Sequence, residues 1–459
     1  MKNGRTGNNA LDIDADAARR TSRNEPSSVL SLTDAIALIV GIVIGAGIFR
    51  APSLVAANSD SGIMFLLAWA AGGLVSLVGA LCYAELTTTF PNTGGDYHFI
   101  MRAFGRHAAF LFAWARMSII QTGSIALLAF IFGDYASKIW SLGEYSSVIY
   151  AALAVVTLTA INIIGITFGT GTQKVLTAME VSGILFIVAA GFFLAPADDG
   201  TTVAASGAAS GNSSAGLAMV IVLLTFGGWN EAAYISAELR SGKRQLAKAL
   251  IISITLITVI YILVNMAYLQ VLGLGNMATS DAVAIDLMEA TIGKSGVVLI
   301  GFLVAISALT SANATIFTGA RTNYAVGRDF PILIRLSQWD SRTSVPVNAF
   351  LVQGAISLAL VSLGLVTRSG FEAMLEYTAP VFWFFFLLVG ISLFVLRHKE
   401  PDIKRPFRVP LYPLTPLIFC MMSAYLLYSS VVYTGLGAIV GIGILLIGVV
   451  VLLLLKRRT

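Results

Sequence analysis

Charge is what this chain has least of. Asp, Glu, Lys and Arg make up 12% of its 459 residues, against about one quarter in a soluble domain. Cysteines number two, Cys82 and Cys420, both inside apolar runs. That favours buried thiols over a disulfide and says nothing of the redox compartment. The three histidines, His98, His107 and His398, share no metal-ligand spacing, so no metal is expected. The first thirty residues hold no apolar core for a signal peptide and read as a solvated tail. "TIGKS" (Thr291 to Ser295) resembles the end of a phosphate-binding loop, but Met288 stands where the leading glycine belongs, which excludes a nucleotide site. No nucleophile and base pair at membrane depth, so an enzyme is not expected and no cofactor is implied. No nucleic-acid signature accompanies the net charge of +5.

What the chain has is apolar length. Hydrophobic residues make up 57%, and mean hydropathy is +0.85. Long runs recur at roughly 33–57, 63–90, 108–136, 145–166, 174–196, 215–239, 246–272, 295–326, 346–366, 373–396, 412–433 and 435–455, each near the twenty residues that cross a bilayer as a helix. The expected class is an all-α polytopic membrane protein with about twelve spans; short alternating strands of a barrel are absent from the pattern. With a cytoplasmic tail, all of the 29 basic residues except Arg50, Lys138, Lys294 and Arg368 fall inside. Both termini are therefore expected in the cytoplasm, the chain lying in the cell membrane. The outer segments read as loops: the Gly/Ser/Ala stretch with the sequon at Asn212, and the acidic segment with Asp286 and Glu289.

Two of these runs contain residues that a lipid-exposed helix does not favour. The first reads "GIVIGAGIFRAP", with Gly41, Gly45 and Gly47 at its middle. Gly41 and Gly45 alone form a helix-packing GxxxG; Gly47 and Pro52 are not explained by it. The sixth, "LLTFGGWNEAAYISAEL", puts Gly227 and Gly228 at mid-span, followed by Trp229, Asn230 and Glu231; a kinked helix beside a water-filled crevice is the plainer account. An unwound turn in lipid leaves amides unsatisfied at several kcal/mol each, so it persists where it lines a polar site. Interrupted helices at matching positions of two halves point to a transporter of inverted repeats with substrate at the midplane. Exposed N–H groups of the first span suit a carboxylate and exposed carbonyls of both turns suit an ammonium, which together describe an α-amino acid. A channel would need a ring of selectivity groups, which one pair of broken helices does not supply.

At these residues the sequence resembles the amino acid–polyamine–organocation transporter family. "GIVIGAGIFRAP" is similar to its first-helix signature, "FPNTGGDYHFIMRAFG" to the re-entrant cytoplasmic helix after its second span, "FGGWNEAAYISAEL" to its sixth helix, nearest that of L-type exchangers, and "RTNYAVGRDFP" to its eighth-helix exit. The resemblance implies a five-plus-five inverted repeat, halves at about 31–196 and 215–396, discontinuous helices 1 and 6, and two added C-terminal helices within 397–459. It implies alternating access, with amino acids moved by exchange or proton coupling. By the same resemblance Ile44, Gly45, Ala46, Gly47 and Ile48 hold the substrate carboxylate. Phe226, Gly227, Gly228, Trp229 and Asn230 hold the amine and cover the side chain, Phe226 as a gate. Where L-type exchangers carry a lysine in helix 5, this chain has Glu180. Burial makes that carboxylate costly to ionise, so it is expected to take up a proton; a structural ion pair with Arg116 is the alternative. Ser307, Thr310 and Ser311 stand at helical spacing to face Glu180, or to bond their own helix. A cationic or polyamine substrate drawn by Glu180 and Glu231 is the second reading. An accessory subunit is not legible.

Overall fold

A computed structural model describes residues 29–194, 215–239, 244–280, 282–362, 370–433 and 435–456. Most of the tail at 1–30, the sequon loop and the last three residues lie outside the described residues. Those described are helical nearly throughout, with two isolated bridges, Leu30 with Leu239 and Asp340 with Val345.

The first run is two helices. α1 (Leu32–Val43) opens on a reciprocal cap in which the Asp34 N–H donates to Ser31 Oγ at 3.2 Å and the Ser31 N–H donates to Asp34 Oδ2 at 2.8 Å. Lys174 adds an ion pair to Asp34 at 2.9 Å. The helix ends at Ile44 and Gly45, whose backbone is extended (φ −100°, ψ −172° at Gly45). A single 3-10 turn, Ala46–Phe49, then leads into α2 (Ala51–Ala57), with Pro52 in its first turn, where a missing N–H costs nothing.

There follow α3 (Gly62–Thr89) and α4 (Asp96–Phe104), then α5 (Arg106–Ala115) and α6 (Gln121–Ile139), which run together through a π turn at Arg116–Ile120. Next come α7 (Ser146–Ile164) and α8 (Ile166–Phe193). In the second half α9 (Ala215–Thr225) stops at Phe226, and a 3-10 segment, Trp229–Ile235, resumes after Gly228. α10 (Arg244–Thr279) bends at Gly273 (φ 70°). α11 (Val283–Ile292) and α12 (Lys294–Asp329) are followed by α13 (Val347–Ser362), α14 (Gly370–Lys399), α15 (Leu414–Tyr433) and α16 (Gly435–Lys456).

Among the described residues nine helices are long and apolar enough to cross a membrane, and Leu32–Val43, Val347–Ser362 and Gly441–Leu454 are shorter apolar ones. Two segments differ from the sequence reading. The acidic segment around Asp286 is the helix α11 and not a loop. The fifth span begins at Ile166, eight residues before the apolar run, because the Gly/Thr-rich "TFGTGTQK" is wound onto it.

The packing pairs four elements of the first part of the chain with elements of equal rank in the second, while α8, the fifth span, lies on α12, α10 and α1. α3 lies on α10, α6 on α12, α7 on α13, and α1 against the 3-10 segment after α9. Helix 2 thus meets helix 7, 3 meets 8, 4 meets 9 and 1 meets 6. The breaks of the first and sixth spans are thereby brought together at the centre.

Candidate substrate site

The two breaks touch. A Cβ built on Gly228, whose φ is +108°, would lie 2.3 Å from Ile42 Cγ2, and one built on Gly47 would lie 3.2 Å from Thr225 Cγ2. Glycine at 228 thus serves both a left-handed turn and a close helix approach.

Free backbone at the breaks is asymmetric. The N–H groups of Ala46 and Gly47 open a helical turn and have no intrahelical acceptor, and the cross-helix hydrogen bonds among the described residues do not engage them. In α1 the released carbonyls are taken. Ser311 Oγ donates to Gly41 O (3.0 Å), Tyr261 Oη to Val43 O (2.8 Å) and Ser307 Oγ lies 3.1 Å from Ile44 O. In the sixth span Leu224 O accepts from Gly227 N and Gly228 O from Glu231 N, leaving the carbonyls of Phe226 and Gly227 unused among the described residues. The unpartnered carbonyls at the breaks, among the described residues, are therefore those of the sixth span, where the sequence reading expects them at both turns. The cause is a row of hydroxyls on α10 and α12.

Phe226 is fully buried, its ring 4.9 Å from Tyr261 and 6.3 Å from Trp69. Trp229 stacks edge-on against Tyr83 at 5.1 Å and lies 5.6 Å from Phe386. Beside Gly227 and Gly228 a crevice, part of it open to the exterior, is walled by Trp229, Asn230, Phe382, Trp383, Phe386 and Phe419 with Ser76 and Ser423. No charged residue lines it.

The eighth-helix hydroxyls divide. Ser307 Oγ is bonded to Glu180 Oε1 as well as to Ile44 O. Ser311 faces α1. Thr310 Oγ1 bonds back to Ile306 O at 2.8 Å, the self-bonding expected as the alternative. Glu180 is 1% exposed, and its Oε2 makes no hydrogen bond among the described residues.

Arg116 does not pair with Glu180. Its Nη2 lies 2.6 Å from Glu231 Oε2, its Nε donates to Thr322 at 2.9 Å and its guanidinium sits 3.8 Å over the Tyr234 ring. Glu231 is 8% exposed, so its charge is met by a cation and not by a water-filled crevice.

Asp96, first residue of α4, faces this pair with Tyr83 and Tyr234. Burial pushes its carboxyl up to about 7; Arg116 opposes this and Glu231 adds to it. With the folded value raised above the unfolded one, its contribution to stability is present at acidic pH and is lost as pH rises through about 7. Across that window each pH unit costs at most about 1.4 kcal/mol. Asp96→Asn is expected to flatten the fall in melting temperature between about pH 4 and 7, the unfolded and folded values; an unchanged slope would assign the effect to another group.

The sequence reading missed Tyr261, one of two tyrosines in its apolar run, with Tyr268. It also missed the buried pair of Arg321 with Glu238, at 2.5 and 2.7 Å.

Residues 30–455 match the family model described as amino acid permease. The chain is 31% identical over 409 residues to the b(0,+)-type amino acid transporter 1 of Mus musculus, covering 88% of this chain and 82% of that one. It is 29% identical to the cystine/glutamate transporter of Homo sapiens, covering 90% and 82%. To the large neutral amino acids transporter small subunit 2 of Mus musculus it is also 29% identical, covering 92% and 79%. With a match that spans nearly its whole length, the chain belongs to the amino acid permease family.

Proposed function

We propose that this protein moves α-amino acids across the cell membrane by alternating access, with both termini cytoplasmic and the halves 31–196 and 215–396 forming the inverted repeat. Rank-for-rank packing of four of the five spans supports the repeat. The observation that carries the substrate is the contact between two broken helices, one offering N–H groups at Ala46 and Gly47, the other carbonyls at Phe226 and Gly227. A carboxylate is received at the positive start of a helical turn, an ammonium by the carbonyls. Ile44, Gly45 and Ile48 shape the first cradle; Gly228, Trp229 and Asn230 shape the second.

The neutral, aromatic crevice fits an uncharged substrate side chain. For a cationic one, Glu231 is already committed to Arg116, which leaves Glu180. Counterflow of labelled L-leucine, L-alanine, L-arginine and putrescine in proteoliposomes tests the reading: the zwitterions are expected to exchange, and transport of putrescine alone would overturn it.

Proton coupling has a physical basis at Ser307. Its hydroxyl has one proton and faces two acceptors, Glu180 Oε1 and Ile44 O. Both contacts are satisfied together when Glu180 is protonated and donates to Ser307, which donates to Ile44. Ionised Glu180 instead claims the Ser307 proton and releases the carbonyl beside the carboxylate cradle. Glu180→Gln, which keeps a donor but cannot titrate, is expected to abolish acceleration of uptake by an imposed pH gradient while preserving exchange. A gradient response equal to that of the parent would assign coupling elsewhere.

A further inference from the structure

We propose that the segment between α14 and α15, residues 400–413, is a docking surface for anionic phospholipid, with Lys404 and Arg408 on the headgroups and Leu411 in the acyl boundary. This rests on the cytoplasmic placement of both termini above, which puts the segment at the inner leaflet, and is independent of the substrate.

The segment is a strap held down along its inner face. Buried Glu85, near the end of α3, accepts from Arg397 at 2.8 and 2.6 Å, pairs with Arg405 Nε at 3.3 Å and accepts from Val409 N at 2.6 Å. Arg405 also closes the C-terminus of α14, its Nη2 donating to Glu400 O at 2.9 Å and its Nη1 to Ile403 O at 3.1 Å. Glu400 is clasped from α4 by Arg102 at 2.6 Å. Each cation turned inward on the strap is thus met by an acid or a carbonyl.

The outer face is different. Lys404 and Arg408 are exposed, and each stands next to a residue that is turned in: Arg405, 6% exposed on the side chain, and buried Val409. Neither cation has a hydrogen bond or ion pair among the described residues. Residues 397–408 hold five basic groups against Glu400 and Asp402, and Glu400 is already paired. The outer face is therefore left with positive charge in excess.

Leu411 is a second observation, and an apolar one. It is 77% exposed at a φ of +52°, a left-handed backbone that bulky residues avoid. Its carbonyl accepts from Leu414 N at 2.8 Å, which fixes Leu411 where α15 begins, and Leu414 continues the exposed apolar surface. Arg397 lies 3.8 Å over the neighbouring Tyr412 ring and holds an aromatic at the same level, as membrane boundaries favour. Arg408 precedes Leu411 by about 10 Å of chain at most. Unmet cations within that reach of a bare leucine match a phosphate headgroup above its own acyl chain. A soluble anion would meet the cations and leave the leucine in water.

The detergent-purified full chain is titrated in mixed micelles with dioleoylphosphatidylglycerol or dioleoylphosphatidylcholine while its thermal melting is followed. A lipid that binds the folded state raises the melting temperature by mass action, and phosphatidylglycerol is expected to do so at the lower concentration. Lys404→Gln and Arg408→Gln should each raise the phosphatidylglycerol concentration giving half the shift about fivefold, equivalent to about 1 kcal/mol for one charge at an anionic surface. Neither should change the response to phosphatidylcholine. Leu411→Gly, which suits the left-handed turn and removes the apolar group, should weaken both lipids alike. The difference between the lipids should collapse in about 1 M salt, where the screening length is about 3 Å. The proposal is overturned if both charge variants keep the parent midpoint, if the two lipids stabilise the parent equally, or if inorganic phosphate at matching concentration reproduces the shift. Labelling of Lys404→Cys in intact cells by a membrane-impermeant maleimide would instead overturn the cytoplasmic placement, a failure that the lipid titration does not report.

Discussion

Arg321→Ala is expected to destabilise the protein by about 3–5 kcal/mol, the cost of leaving a buried carboxylate without its cation. Arg321 and Glu238 are each fully buried on the side chain, and every strong contact of the guanidinium is internal. Nε and Nη2 clasp Glu238, Nη1 donates to Phe317 O at 2.6 Å and the plane stacks on the Phe317 ring at 3.5 Å. The Glu238 carbonyl in turn accepts from Leu30 N at 2.8 Å, so one pair joins α12, the segment after the sixth-span break and the entry to α1. Thermal melting of the detergent-purified variant measures the loss. Arg321→Met combined with Glu238→Leu should recover most of it, because an apolar pair of similar volume avoids the cost of desolvating two charges. If the double variant melts no higher than the single one, the loss comes from packing around Phe317 and not from the orphaned charge.

How far this arrangement was legible in the sequence depended on whether the signal was local. The breaks were local: Gly45 with Gly47 and Gly227 with Gly228 withdraw side-chain support from one turn, and the chain leaves its helix within two residues of each. Span ends were less so, since α8 starts eight residues ahead of its apolar run on a Gly/Thr-rich segment that reads as a loop. α11 escaped because ten residues with two acids lack the length of a span. Pairings were the least legible. Glu231 takes Arg116 from 115 positions away, and Tyr261 reaches Val43 across 218; neither separation leaves a trace in spacing. Glu180 illustrates both limits. Its residue type flagged an unusual buried group, while its partner Ser307, named among three candidates, was separated from Thr310 only by which face of α12 looks at α8.

Gly228→Ala is expected to reduce transport on the order of a hundredfold or more, about 2.7 kcal/mol on the scale of a tenfold step per 1.4 kcal/mol. Two costs add. A left-handed backbone costs a side-chain-bearing residue roughly 1–2 kcal/mol, and φ at 228 is +108°. The new methyl would also stand 2.3 Å from Ile42 Cγ2, a distance that forces α1 and the sixth span apart at the proposed site. The two costs separate by experiment. Ile42→Ala removes the obstructing methyl but leaves the dihedral, so the double variant should regain part of the transport lost and no more. Gly47→Ala is the contrast: its Cβ would meet Thr225 Cγ2 at 3.2 Å, relieved by a shift of a few tenths of an ångström, and its φ is not in the left-handed region. That substitution should cost less than tenfold, within the roughly 0.5–1.5 kcal/mol of an off-rotamer adjustment. Equal losses at 47 and 228 would mean that glycine serves there only to vacate space for substrate. The larger loss at 228 would mean that the turn itself, with its peptide groups aimed by a positive φ, is what binds.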